Sequence, residues 1–221
     1  MSLYLDFESS ISAADKLLAM YSELRKLRGL AQRGALSGEN KDLLWLPRSA
    51  VVASLSALDA YVHSIIYDRL PHALRLNPVP LALCEAMSAV IPIKNADSFR
   101  SAVPVLASND SFAYLTNSLK ERTLAFLSYQ APEKIAAGYE LIGVSDIFAR
   151  VSAMWPGPAT SADDIKRYLA NYVKRRNQIA HEGDLEGGGA ERSMQPDYAR
   201  GCKDFVVNLA SRLNRVVYGP Q

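Results

Sequence analysis

The sequence has few cysteines and lacks the short motifs of the common cofactor-binding folds. Its two cysteines, Cys84 and Cys202, lie in predicted helices and form no C-x-x-C pair, so we interpret them as buried thiols in a reducing compartment. No G-x-G-x-x-G follows a predicted strand, and neither a P-loop lysine pattern nor an H-E-x-x-H helix is present. His63 and His72 have no potential metal ligands at useful spacing and are read as structural. We therefore expect neither a cofactor nor a metal.

An excess of charge of one sign is lacking as well. Lys and Arg together number 25 against 23 Asp and Glu, a formal net charge of +2, so affinity for a polyanion has to come from local clustering. The opening residues, MSLYLDFESS, have no basic region typical of a secretory signal, and the apolar run over residues 50–66 is interrupted by Asp59, His63 and serines. These patterns predict a cytoplasmic protein with no membrane partner.

Helical periodicity, in contrast, is abundant. Apolar residues recur at three- and four-residue spacing through most of the 221 residues, and no convincing alternating stretch is present. We predict one all-α domain over residues 1–221, a helical bundle with extra short helices in its proline-rich middle third. The predicted helices run from Ser9 or Ser10 to about Arg33 and Gly34, from about Pro47 to just before Pro71, over 81–90, 112–126, 132–139 and 145–154, from Ala162 to about Glu182, and onward from Pro196.

The helix predicted from Ala162 to Glu182 contains the one clear departure from this pattern. Its inner stripe of Ile165, Leu169, Tyr172 and Ile179 is interrupted by Arg176, and a guanidinium on a core-facing row is costly unless it is paired or lines a cleft. Asn177 lies four residues before His181, so these two side chains are neighbours on one face. Arg176 and His181 are about 140° apart around the helix at 3.6 residues per turn, so we expect them not to stack directly, although a long arginine arm can bend toward the same cleft.

Two interpretations of this segment follow from the residues alone. Histidine titrates near neutrality and suits proton transfer, which makes His181 a candidate acid or base. Cations near a helix C-terminus are also common for structural reasons, because they stabilise the negative end of the helix dipole and bind its free carbonyls. Gly183 is the predicted left-handed stop of this helix, and residues 183–195 are predicted to form a flexible connector.

The run over residues 175–184, RRNQIAHEGD, resembles the signature of HEPN domains (higher eukaryotes and prokaryotes nucleotide-binding). That signature is an arginine, a polar residue that is often asparagine, and a histidine near the end of a long helix. The form here is similar to the RiboL-PSP branch of bacterial HEPN proteins. The segment SAVVASLSALDAYVHSII, residues 49–66, is similar to the upstream helix of that branch, with Asp59 at its acidic position.

The resemblance implies a metal-independent endoribonuclease. Two protomers would line one composite cleft, and a toxin, antiphage or RNA-processing role with an antitoxin or regulatory partner would be expected. His181 would move the proton of the 2′-hydroxyl or of the leaving oxygen, Arg176 would bind the phosphate, and Asn177 would orient one of them. Asp59 would pair with Arg176 or form a structural ion pair, while Arg175 and Asp184 would support the site.

Two alternatives to catalysis remain open from the sequence. One is a non-catalytic HEPN module that binds nucleotides or RNA and dimerises. The other is a structural subunit whose basic turn docks on an acidic surface. Lys174 and Arg175 either add phosphate affinity or form a solvated basic face, and we favour the solvated face.

Overall fold

The protein is described here by a computed structural model, which covers residues 3–31, 34, 36–91, 95–155 and 160–220. Over these residues the chain forms nine α-helices and two short 3₁₀ helices, and its strand pairing consists of one isolated bridge between Leu185 and Glu191. The predicted all-α fold class is confirmed.

Two long helices stand at each end of the described chain, and short helices lie between them. Their bounds are α1 (Leu3–Leu27), a 3₁₀ helix (Gly38–Leu44), α2 (Trp45–Ala73), α3 (Leu81–Val90), α4 (Ala96–Leu106), α5 (Ser111–Arg122), a 3₁₀ helix (Leu124–Phe126), α6 (Pro132–Leu141), α7 (Ile147–Ser152), α8 (Ala162–His181) and α9 (Pro196–Tyr218).

The chain divides into two compact units. The first comprises Met1–Tyr61 together with Phe148–Gln221, and the second comprises Val62–Ile147. The core of the first unit is built from α1, the amino-terminal half of α2, α8 and α9, with buried side chains that include Ile11, Leu18, Leu55, Leu58, Ile165, Leu169, Leu209 and Leu213. The core of the second unit includes Ile65, Ile66, Leu70, Leu83, Leu119, Ile135 and Tyr139.

Helix α1 begins earlier and ends earlier than predicted. It starts at Leu3 because Phe7 extends the buried stripe and packs against Tyr61, with ring centroids 5.0 Å apart. Ser10 therefore lies inside the helix, where its hydroxyl donates to the carbonyl of Asp6. The helix ends at Leu27, and Arg33 of the predicted end lies outside the described residues.

Helix α2 confirms the prediction at its start and contradicts it at its end. Pro47 lies in the first turn, where its missing N–H is harmless. Pro71 does not end the helix, which continues to Ala73; Leu70 and Ala73 are fully buried, so packing holds the last turn despite the lost hydrogen bond. The predicted inner face is buried at Leu55, Leu58, Val62, Ile65 and Ile66, whereas Val52 is half-buried.

The middle third contains one helix that the sequence analysis missed. The predicted helix over 81–90 is confirmed as α3, and those over 112–126, 132–139 and 145–154 correspond to α5 with its 3₁₀ turn, α6 and α7 with shifted ends. Helix α4 was missed because Pro104 reads as a break, although it lies in the last turn of the helix. The start of α4 is fixed by a capping box in which Asn95 and Ser98 exchange hydrogen bonds between side chain and backbone.

Helices α8 and α9 start where the sequence predicts. Ser161 and Asp164 form a capping box at the start of α8, and Gly183 follows its end with φ +61°. Pro196 opens α9, whose predicted stripe is buried at Cys202, Leu209 and Leu213. The other stripe residues, Tyr198, Phe205 and Val216, are partly exposed.

One stretch, Gly38–Ala73, is long and apolar enough to cross a membrane by length and composition. More than half of its apolar window is buried within the protein, and the interior helix of a water-soluble fold meets the same criteria. The stretch is therefore weak evidence for a membrane span, and the expected absence of a membrane partner stays a prediction.

Two helical glycines provide a test of the packing. A Cβ at Gly138 of α6 would lie 2.6 Å from Cδ1 of Ile66 and 2.7 Å from Cε1 of Tyr129, two buried side chains. Gly138→Ala should therefore lower the free energy of unfolding by about 1–3 kcal/mol, measured by urea denaturation.

Gly201→Ala in α9 is the matched control. Its new Cβ would meet the Tyr172 hydroxyl at 3.4 Å, an ordinary contact, so the usual helix preference for alanine should raise stability by about 0.5–1 kcal/mol. Equal stability of the two variants would contradict the close packing of α6 against Ile66 and Tyr129.

The two cysteines differ in accessibility, which corrects the expectation that both are buried. Cys84 is exposed on α3, whereas Cys202 is buried in α9, where burial raises the pKa of its thiol to about 12. A raised pKa keeps Cys202 in the protonated, unreactive form at neutral pH.

The native protein should therefore release one equivalent of chromophore from a disulfide reagent rapidly, and Cys84→Ser should abolish that fast phase. Two fast equivalents would contradict the burial of Cys202.

Candidate functional site at the end of helix α8

The last two turns of α8 bring Arg176, Asn177 and His181 into direct contact. Nη1 of Arg176 donates to Oδ1 of Asn177 at 3.1 Å and lies 3.2 Å from Nε2 of His181. The arginine arm thus spans the angle around the helix that separates it from the histidine. Asn177 and His181 are exposed and Arg176 is half-buried, so the group lies at the surface of the first unit.

The contact between Arg176 and His181 determines which residue donates the hydrogen bond and which accepts it. A guanidinium carries only donors, so Nε2 of His181 must be the acceptor. A neutral imidazole that accepts at Nε2 carries its proton on Nδ1. The arrangement therefore presents an Nε2 lone pair held against a cation and an Nδ1–H on the other side of the ring.

The guanidinium of Arg176 keeps unused hydrogen-bonding capacity. Among the described residues its hydrogen-bond partners are the neutral groups of Asn177 and His181, and no carboxylate pairs with it. Its Nε is buried and has no partner within the described part of the chain. A guanidinium whose partners are neutral is suited to bind an anion through its outer nitrogens, because charge-assisted hydrogen bonds are stronger than neutral ones.

The adjacent Arg175 differs from Arg176 because its guanidinium is paired with a carboxylate, that of Asp184. Its Nη1 contacts Oδ1 of Asp184, and its Nη2 donates to Oδ2 at 2.8 Å and to the carbonyl of Ser193 at 2.9 Å. Only 12% of the Arg175 side chain is exposed. The interpretation of Arg175 as part of a solvated face is therefore wrong, whereas Lys174 is exposed as expected.

Asp184 is fully buried between two arginines. Besides Arg175, the guanidinium of Arg48 on α2 donates through Nε to its carboxylate, and Arg48 is also 0% exposed. Nη2 of Arg48 donates in addition to the carbonyl of Arg192 at 2.8 Å. We refer to Arg48, Asp184 and Arg175 as the ion cluster.

The ion cluster anchors the segment after α8, which was predicted to be a flexible connector. The backbone N–H of Asp184 donates to the carbonyl of Gln178, and that of Arg192 donates to the carbonyl of Asp184 at 2.8 Å. Asp184 adopts a left-handed backbone with φ +58°, which is uncommon for a residue other than glycine. The segment is therefore fixed by hydrogen bonds at both ends, and Gly187–Gly189 lie at its exposed tip.

Asp59 lies apart from the described contacts of Arg176, and Arg48 is a buried arginine that the sequence pattern does not point to. Asp59 is half-buried on α2 and engaged in an interaction of its own, but the described hydrogen bonds of Arg176 do not include it. Arg48 was not singled out at all. The signal that could have found it is an arginine in the first turn of an otherwise apolar helix, which requires a partner if that helix is buried.

The exposed Asn177 and His181 place the site at the surface of the first unit. A half-open depression of about 280 Å³ lies elsewhere in the first unit, lined by Tyr4, Ser211, Asn214, Arg215 and Pro220. Over the described residues, no group of three or more His, Cys, Asp and Glu side chains is arranged to hold a metal ion. The side chains that contact one another at the site are an arginine, an amide and an imidazole.

Comparison with known proteins does not assign the chain to a family. No protein-family model matches it, and neither a curated protein nor a solved structure matches it. The resemblance to HEPN domains stays a prediction, and function has to be inferred from the side chains.

The ion cluster should contribute strongly to stability. Asp184→Asn would leave Arg48 buried without its main counter-charge, and breaking a buried pair in this way costs about 3–5 kcal/mol. The measurement is the free energy of unfolding in urea.

Asp163→Asn is a matched control, because Asp163 is 92% exposed and its pair with Lys166 is a surface pair. Such pairs contribute about 0–1 kcal/mol, so this variant should stay close to the parent protein. If both substitutions had the same small effect, Asp184 would not be a buried anchor.

Proposed function

We propose that the protein is a metal-independent endoribonuclease that cleaves RNA through attack of the 2′-hydroxyl on the adjacent phosphate. The products would be a 2′,3′-cyclic phosphate and a 5′-hydroxyl. The observation that carries this proposal is the 3.2 Å contact between Nη1 of Arg176 and Nε2 of His181, which joins a phosphate-binding group to a proton-transfer group. The similarity of residues 175–184 to the HEPN signature supports the same reading.

Arg176 binds the scissile phosphate in this mechanism. Its planar donors match two non-bridging oxygens, and its positive charge stabilises the charge that develops in the transition state. A phosphate oxygen is a stronger acceptor for a guanidinium than a neutral imidazole or amide. Substrate therefore displaces His181 and Asn177 as partners of Arg176.

His181 then transfers the proton. Once released from Arg176, its Nε2 accepts the proton of the 2′-hydroxyl, while the 2′-oxygen forms a bond to phosphorus and the bond from phosphorus to the 5′-oxygen breaks. The departing 5′-oxygen takes up a proton from the imidazolium or from water, which balances the reaction. RNA carries this nucleophile itself, so alignment and proton transfer are sufficient for cleavage.

Asn177 orients these groups rather than reacting. Its Oδ1 accepts from Arg176 in the free protein, and its amide N–H groups remain able to donate to a phosphate or to the imidazole. Loss of this side chain should therefore reduce the rate less than loss of Arg176 or His181.

The surface position of the site supports a composite cleft. One copy leaves His181 and Asn177 exposed, so a second copy facing the first would enclose the RNA and exclude water. We propose a homodimer in the cytoplasm, in a toxin, antiphage or RNA-processing role, with an antitoxin or regulatory protein as a further partner.

The test is cleavage of a fluorescent single-stranded RNA in the presence of EDTA. His181→Ala should lower kcat about 10²–10⁴-fold and Arg176→Ala about 10²–10³-fold, because they remove the proton-transfer group and the charge-stabilising donor. Treatment of the products with a cyclic phosphodiesterase should show the expected 2′,3′-cyclic end.

His72→Ala and Arg200→Ala are the matched controls, because both residues are exposed and lie outside the site. Neither should change kcat. Binding of RNA without cleavage by the parent protein would instead favour the non-catalytic binding module. Cleavage that needs a metal, or that survives both site substitutions, would contradict the proposal.

A further inference from the structure

We propose that Arg48, acting through Asp184, is a positioning residue for His181. The inference rests on the proposed function for its kinetic consequence, but the geometry that it explains is independent of any substrate. Arg48 lies on α2, 133 positions before His181 in the chain, and touches neither that residue nor Arg176 in the described contacts.

The Asp184 carboxylate is held by both arginines of the ion cluster. Oδ2 accepts from Nε of Arg48 and from Nη2 of Arg175, while Oδ1 accepts from Nη1 of Arg175. A carboxylate that accepts from two rigid guanidinium groups has little rotational freedom. Asp184 is thus fixed in position relative to both α2 and α8.

Backbone hydrogen bonds link Asp184 to the end of α8. Its backbone N–H donates to the carbonyl of Gln178 at 3.0 Å, and the N–H of Glu182 donates to the same carbonyl at 3.1 Å. These bonds close a loop of chain that contains His181. Because the ion cluster holds Asp184, it also holds the backbone from which the imidazole projects.

The ion cluster also restrains the backbone next to Arg176, the hydrogen-bond partner of His181. Arg175, which the ion cluster fixes, directly precedes Arg176 in the helix. One carboxylate therefore restrains the backbone on the amino-terminal side of Arg176 and on the carboxyl-terminal side of His181. The expected consequence is that Nε2 of His181 stays in place to accept from Arg176 and that the imidazole stays in its Nδ1–H form.

The left-handed backbone of Asp184 is compatible with a positioning role. Aspartate adopts this conformation more readily than most residues other than glycine, and here both its carboxylate and its backbone N–H are held by hydrogen bonds. Apolar side chains of similar volume often stabilise a protein as well as a buried ion pair does, so stability alone does not require these charges. A fixed geometry at the adjacent site does account for them.

The test uses Arg48→Met, which keeps side-chain length and leaves Asp184 paired with Arg175. The readout is the two-bond ¹⁵N–¹H NMR spectrum of the three histidines in alkaline solution, where imidazole is neutral. His181 of the parent protein should give the pattern of a single Nδ1–H tautomer, assigned by its absence in His181→Ala. In Arg48→Met it should shift to a mixture of both tautomers.

Asp42→Asn is the matched control, because Asp42 forms an exposed two-point pair with Arg28 in the same unit. It should leave the His181 pattern unchanged. Arg48→Lys distinguishes charge from geometry: lysine restores the positive charge but not the planar donors, so the tautomer mixture should persist. If Arg48→Met unfolds, Arg48→Lys carries the test.

The kinetic arm separates this inference from the proposed function. If the parent protein cleaves RNA, Arg48→Met should lower kcat about tenfold or more with little change in KM, since it disturbs alignment rather than binding. If the parent protein does not cleave RNA, the proposed function fails while the tautomer shift still tests the positioning role. An unchanged His181 pattern in folded Arg48→Met and Arg48→Lys overturns the inference.

Discussion

A single buried carboxylate determines the geometry of the end of α8. Asp184 is fully buried and accepts hydrogen bonds from Arg48 and Arg175. A carboxylate in the protein interior is stable only when it is paired and hydrogen-bonded in this way. The pairing requires α2, α8 and the segment after α8 to lie in one fixed arrangement. This arrangement also fixes the backbone that carries Arg176, Asn177 and His181 at the surface.

Local signals account for the parts of the fold that the sequence predicts well. Helix α8 has a capping box at Ser161 and a glycine stop at Gly183, both of which act within a few residues. Helix α9 likewise begins at Pro196, whose fixed φ suits a first helical turn. Boundaries that depend on packing were predicted less well: Phe7 extends α1 through its contact with Tyr61, a residue far away in the chain.

At the candidate site, too, local features can be predicted from the sequence, whereas contacts between distant residues cannot. Helix geometry predicts that Asn177 and His181 share a face and that the Arg176 arm can bend toward them, but it does not predict the direct contacts of Arg176 with both residues. The pairing of Arg48 with Asp184 could not be predicted, since the two residues are 136 positions apart and no spacing rule connects them. For that reason the buried state of Arg175 was also missed, because a sequence pattern does not reveal which of two adjacent arginines meets a carboxylate.

The difference between these two adjacent arginines explains how one basic segment serves two purposes. Arg175 shares the Asp184 carboxylate with Arg48 and donates three hydrogen bonds to Asp184 and the carbonyl of Ser193, so it has less to offer an anion. Arg176 is bound to neutral groups, and no carboxylate among the described residues pairs with it. An incoming anion gains most where a guanidinium has no counter-charge to lose, because the alternative requires breaking an existing ion pair. Sequestering one arginine in the ion cluster therefore leaves the other as the electrostatic target beside the imidazole.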